Sequence, residues 1–263
     1  MPRLKIILAC LLLACACKRA PAPVAGVSGP LQASASASAS ASAAPSTSSS
    51  AALAIASAAP EDSSGAFMGR VPAQPMSYEG AWWLDRAGRD QEQKPEHVLD
   101  VIGMHAGETV ADIGCGSGYF SLPMAKRVGP TGRVLATDLQ PEMLALLAKK
   151  VDAAKVTNIT PVLATVDDAK LPAHAIDIVL FVDVYHEITH PLTTMGQVRD
   201  SLREGGKVVL VEYRAEDPKV EVRPEHKMTL VQIKKELAAE GFSFVSSDES
   251  LPKQRIVTFV PAF

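Results

Sequence analysis

Cysteine is scarce and badly placed for a disulfide scaffold: of four in 263 residues, Cys10, Cys15 and Cys17 fall in the first 17 positions. Only Cys115 lies further on, so no disulfide framework can hold a domain together here. Positive charge is also lacking. With Lys and Arg at 26 against 29 acids, the formal net charge is −3, and no basic field marks nucleic acid or an anionic membrane as a partner. Long apolar runs are missing as well. The longest near the start, residues 6–13, is too short to span a bilayer. No internal repeat is evident.

What stands at the start reads as an export signal. Arg3 and Lys5 supply a positive beginning, residues 6–13 the apolar stretch, and Leu12-Leu13-Ala14-Cys15 resembles the bacterial lipobox, whose cysteine becomes lipidated. Cys17 is a second candidate. The expectation is a signal over residues 1–19 and an exported, membrane-anchored lipoprotein, or a cytoplasmic protein if the signal is unused. Residues 20–70 are dominated at first by Ala, Ser and Pro, including an alternating Ala-Ser stretch at 33–42. Such a composition buries too little surface to offset its ordering entropy, so the segment reads as a disordered tether.

From residue 71 apolar runs of strand length alternate with helix-like segments, the pattern of a parallel α/β sheet. Strands are expected at 109–113, 133–137, 159–164, 176–182 and 207–213, with helices at 119–128, 141–151 and 191–202. Pro141 and Pro191 suit the first helical position, where a missing N–H costs least. A helix at 229–240, ended by Gly241, precedes two more strands at 242–247 and 255–260. The expected fold is doubly wound α/β: seven strands in a mixed sheet, mostly parallel, closed by an antiparallel hairpin.

The most informative segment runs from Val110 to Phe120, VADIGCGSGYF, an apolar strand leading into Gly114, Gly116 and Gly118. Glycines there let a cofactor approach the backbone closely. The dinucleotide fingerprint needs its last glycine at position 119, which is Tyr119, so NAD fits poorly. Asp112 followed by these three glycines, with Asp138 ending the next strand in LATD, resembles the first motifs of class I S-adenosylmethionine-dependent methyltransferases. The resemblance spans residues 78–263 and is closest to the ubiquinone/menaquinone-biosynthesis-type group of small-molecule enzymes. It implies a Rossmann-like fold, S-adenosylmethionine as cofactor and a small-molecule acceptor.

The same resemblance implies roles for particular residues. Asp138 would accept the ribose hydroxyls, Leu139 would flank the adenine, and Asp112 would orient the Gly-rich loop and the methionine portion. Asp167 or Asp168 would meet the adenine amino group. Asp183 would face the crevice above the strand ends.

His186-Glu187-Ile188-Thr189-His190 is formally H-E-x-x-H, a zinc signature that requires a continuous helix. Pro191 disfavours helical geometry at His190, and the preceding apolar run reads as a strand. The segment is therefore expected to be a loop without a metal, with a zinc hydrolase as an alternative. Within the methyltransferase reading His186 is a candidate general base, with Glu187 or Tyr185 as its orienting partner. For the zinc alternative the third ligand is unnamed: Glu204 and Glu212 lie downstream, but neither sits in a context that picks it out. Trp82, Trp83 and Arg86, and the stretch 212–227 with His226, are candidates for a lid. The other alternative is a non-catalytic binding or scaffolding lipoprotein, because an exported domain meets little S-adenosylmethionine.

Overall fold

The computed structural model describes residues 66–262. The signal, Cys15 and Cys17, and the tether up to residue 65 lie outside them. A seven-stranded sheet organises the described chain: β1 (Thr109–Ile113), β2 (Arg133–Asp138), β3 (Ile159–Leu163), β4 (Ile176–Val182), β5 (Leu202–Tyr213), β6 (Phe242–Asp248) and β7 (Gln254–Pro261). Their order is β3-β2-β1-β4-β5-β7-β6. The first five are parallel, and β7 runs antiparallel to both β5 and β6.

Burial explains this order. Every residue of β4 is buried, as a central strand covered on both faces requires. β3 and β6 are each buried only at their first residue and take the edges. Pro161, which cannot donate to a ladder, sits in edge strand β3. One face of the sheet packs on α2 (Pro95–Val101), α3 (Ser121–Val128) and α4 (Pro141–Ala154), around Leu99, Met124 and Leu147. The other packs on α5 (Pro191–Ser201) and α6 (Leu230–Ala239), around Met195, Val198, Ile233 and Leu237.

Pro141 and Pro191 do open α4 and α5. Thr229 caps α6 by accepting from the Gln232 N–H at 3.0 Å, and Gly241 follows the helix at φ +84°. Three boundaries differ from expectation by two residues or more. α3 starts at Ser121, because residues 118–120 complete the glycine turn. α4 runs on to Ala154 and stops at left-handed Lys155. β5 begins at Leu202, which pairs with Ile176 before a bulge restores register at Lys207 and Ile178.

The domain also starts before residue 71. Phe67 is buried, its backbone exchanges two hydrogen bonds with Arg70, and Arg70 makes a bidentate pair with buried Glu236 on α6. Composition assigned this stretch to the tether, but one aromatic and one arginine are enough to dock it. Between it and β1 come a 3-10 turn at Tyr78–Asp85 and the short helix α1 (Arg89–Gln93).

Candidate functional site

The strand order reverses between β1 and β4, so their carboxyl ends open a crevice where this class of fold binds ligands. The Gly-rich turn lies there. Cys115 donates its backbone N–H to Thr137 O at 2.9 Å, tying the turn to the end of β2. Gly116 and Gly118 both hold positive φ, at 53° and 84°, and each is pressed by a side chain. A methyl group on Gly116 would lie 2.6 Å from Leu84 Cδ1, and one on Gly118 would collide with Leu147 Cδ1. The left-handed dihedral favours glycine at both positions, and any side chain there would also have to displace a leucine methyl.

Asp138 is buried at the end of β2. Its Oδ2 accepts from the Gly116 N–H and its Oδ1 from the Gln140 N–H, both at 2.9 Å. Burial pushes its pKa up while these backbone donors pull it down. Each oxygen keeps a lone pair for a further donor, as a ribose diol would need. Leu139 beside it is 44% exposed, an apolar face at the crevice. Asp112 accepts from Ser121 Oγ at 2.5 Å and so joins β1 to the first turn of α3. Burial raises its pKa to about 7.

Asp183 adopts φ +55° just past β4. Its two oxygens accept from Gln93 Nε2 and Gln254 Nε2, both at 2.7 Å, so it ties α1 and β7 to the rim. Burial and the Glu212 carboxylate lift its pKa to about 6. Asp167 pairs with His190 Nδ1 at 2.8 Å, and Asp168 with Lys170. Both of these carboxylates are solvent-exposed groups in the loop after β3.

The segment after β4 is a single 3-10 turn, Tyr185–Glu187, and not a helix. His190 stands apart on Asp167, so the H-E-x-x-H spacing brings no pair of histidines together. Tyr185 is corrected too. It is fully buried, with its hydroxyl donating toward Glu236 and Glu240, and it does not orient His186. Glu212 does: its Oε2 lies 2.7 Å from His186 Nδ1 and its Oε1 accepts the His186 N–H at 3.4 Å. Burial alone would lower the His186 pKa, but Glu212 outweighs it and lifts the group to about 9. Protonated near neutral pH, His186 is poorly suited to act as a general base.

The sequence named no partner for Asp112 or Asp183, and for His186 it named Glu187 or Tyr185 rather than Glu212. The available signal was Glu212, an acid in the otherwise apolar run VVLVEY of β5, since a carboxylate buried at that depth requires a partner.

The N-terminal turn covers the crevice. Gln140 holds it, accepting the Tyr78 N–H and donating to Met76 O, each at 2.8 Å. Trp83 is stacked under Arg86, whose Cζ lies 3.6 Å from the ring centroid, and Trp82 is 73% exposed. Arg214 braces the β6–β7 connection through Leu251 O and Gln254 O, both at 3.0 Å.

Residues 110–206 match the family model described as a methyltransferase domain. The structure of a SAM-dependent methyltransferase from Aquifex aeolicus superposes with a TM-score of 0.67 over 70% of this chain and 98% of that one, at 23% identity. The fold is the methyltransferase fold. A ubiquinone/menaquinone biosynthesis C-methyltransferase from Cupriavidus taiwanensis is 30% identical over 120 residues, 44% of this chain and 47% of that one. The chain thus spans about half the length of the curated relatives it matches. The methyltransferase fold also carries other chemistry: a [4+2]-cyclase superposes with a TM-score of 0.56 over 74% of this chain and 87% of that one, at 13% identity.

Proposed function

We propose that this chain binds S-adenosylmethionine at the β1–β4 crevice and transfers its methyl group to a small acceptor. The observation that carries the reading is the Asp138 carboxylate, buried at the end of β2 and hydrogen-bonded to the Gly116 N–H of the glycine turn. The cofactor supplies an electrophilic methyl group on a sulfonium. Asp138 holds the ribose, Leu139 lies against the adenine, and the backbone of Gly116 and Gly118 admits the chain between them. Asp112 braces α3 against β1 so that the turn keeps its shape. Displacement at a sulfonium gains chiefly from alignment and exclusion of water, which the covering turn at Tyr78–Asp85 supplies.

For the acceptor, the quinone-biosynthesis relatives point first to an aromatic ring of the quinol class. The exposed Trp82 ring offers a flat surface near such a group. We also propose that the chain is exported and anchored by a lipid on Cys15, or on Cys17.

Isothermal titration of the full chain with S-adenosylmethionine and with S-adenosylhomocysteine tests the first step. Binding in the micromolar range, weakened about tenfold or more by Asp138→Ala with the circular dichroism unchanged, is expected. A folded chain that binds neither ligand, or Asp138→Ala with unaltered affinity, overturns the assignment. Transfer of label from methyl-labelled cofactor to a quinol panel then tests the acceptor class.

A further inference from the structure

Beside the cofactor crevice, the structure collects a second group of side chains that methyl transfer does not use. His186 on the turn after β4 and His226, at the end of the 3-10 turn Pro224–His226, face each other nitrogen to nitrogen, with Nε2 and Nδ1 3.0 Å apart. Glu187 adds a carboxylate oxygen 3.9 Å from the same Nε2. One ligand atom from each of the three lies within 4.8 Å of the others.

We propose that His186 Nε2, His226 Nδ1 and a Glu187 carboxylate oxygen form a site for one divalent transition-metal ion. Two nitrogens each about 2.0–2.1 Å from a tetrahedral ion stand about 3.3 Å apart, close to the separation observed. His186 is 2% exposed, and its far nitrogen rests on Glu212, itself wholly buried. This is the arrangement in which a carboxylate behind a histidine fixes its tautomer and turns the other nitrogen toward a metal. Arg70 Nη1 and the Ala73 N–H both bind His186 O at 3.0 Å, so the backbone of the ligand is held as well.

Two carboxylates flank the imidazole of His186: Glu212 lies 2.7 Å from Nδ1 and Glu187 3.9 Å from Nε2. Two imidazoles and one carboxylate suit zinc, cobalt or nickel rather than magnesium or calcium. Three protein ligands leave a coordination position for water or a small molecule. The ligand set shares His186 and Glu187 with the formal H-E-x-x-H motif, but takes its third member from a residue 40 positions from His186. The competing occupant is a proton shared between the two rings.

Cobalt(II) titration of the full, chelator-stripped chain decides between them by visible d–d absorption, with no cofactor or acceptor present, so the outcome is independent of the methyl-transfer reading. One cobalt per chain is expected. Glu212→Gln should weaken binding by about 10- to 100-fold, as loss of a group holding a ligand from behind does, and His226→Ala by more. His190→Ala should change nothing. Cys10, Cys15 and Cys17 are present in every variant, so any binding there cancels in the comparison. Absence of protein-dependent absorption overturns the site, as does a His226→Ala chain that binds like the parent. Equal loss in His190→Ala overturns it in favour of the H-E-x-x-H pair. His226 is only half-buried on a surface turn, and Glu187→Gln provides a second ligand variant should the first fail to fold.

Discussion

At the residue scale, several acids are forced into the interior, and their titration couples to stability. Glu240 on the turn after α6 is buried. Its Oε1 accepts from Tyr185 at 2.8 Å, and among the described residues its Oε2 has no hydrogen-bond partner. Burial, helped by the neighbouring Glu236 carboxylate, pushes its pKa up to about 8 against the usual 4.5. The native chain therefore holds a proton that the unfolded chain releases between those values. Stability contributed by the protonated form is complete near pH 4.5 and declines as pH rises toward 8. At about 1.4 kcal/mol per unit, the decline is on the order of a few kcal/mol. Urea midpoints measured at intervals from pH 5 to 8 should fall in the parent and flatten in Glu240→Gln, which keeps the acceptor for Tyr185. An unchanged slope in the variant would show that Glu240 ionises normally in the fold.

At the element scale, the 3-10 turn at Tyr78–Asp85 is fastened over the Gly-rich loop by Gln140 at its start and by Ser117 and Lys150, which both donate to Asp85, at its end. Gln140 spans Tyr78 N and Met76 O immediately after the Asp138-Leu139 pair, and Leu84 rests against Gly116. Leu84 thus packs the turn directly on the Gly-rich loop. Gln140→Ala removes both bonds at about 1 kcal/mol each. Amide exchange of the turn should quicken several-fold, with exchange in β1 and β4 unaffected, and cofactor association should become faster. Protection of the turn equal to that of the parent would mean that the Asp85 contacts and the packing of Leu84 and Trp83, not Gln140, hold it down.

At the scale of the whole molecule, an α/β domain with a crevice at the carboxyl ends of its strands follows a long Ala/Ser-rich, charge-poor sequence, and among the described residues no helix is long and apolar enough to cross a membrane. Attachment through Cys15 would then depend on a lipid. Cells given labelled palmitate should incorporate it into the parent and lose it in Cys15→Ser, while retention in that variant and loss in Cys17→Ser would move the anchor to the second cysteine. An unlabelled parent would remove the anchor.

How much of this molecule was legible from its sequence follows the range of the interactions concerned. Strands β1 and β4, the proline starts of α4 and α5, the Thr229 and Gly241 limits of α6, and the glycine turn after Asp112 all depend on neighbours a few residues apart, whereas Asp138, 22 residues from the Gly116 N–H it accepts, was legible through the family resemblance. Apolar periodicity and backbone preference carry that information locally. Docking of Phe67 and Arg70 was hidden because Glu236 lies 166 residues from Arg70. Glu212 behind His186, His226 in front of it, and the two glutamines on Asp183 come from elements that only the order β1-β4-β5-β7 makes adjacent. Sequence could name each of these polar groups, but which ones share a buried pocket is a property of strand neighbours, and no local pattern encodes it.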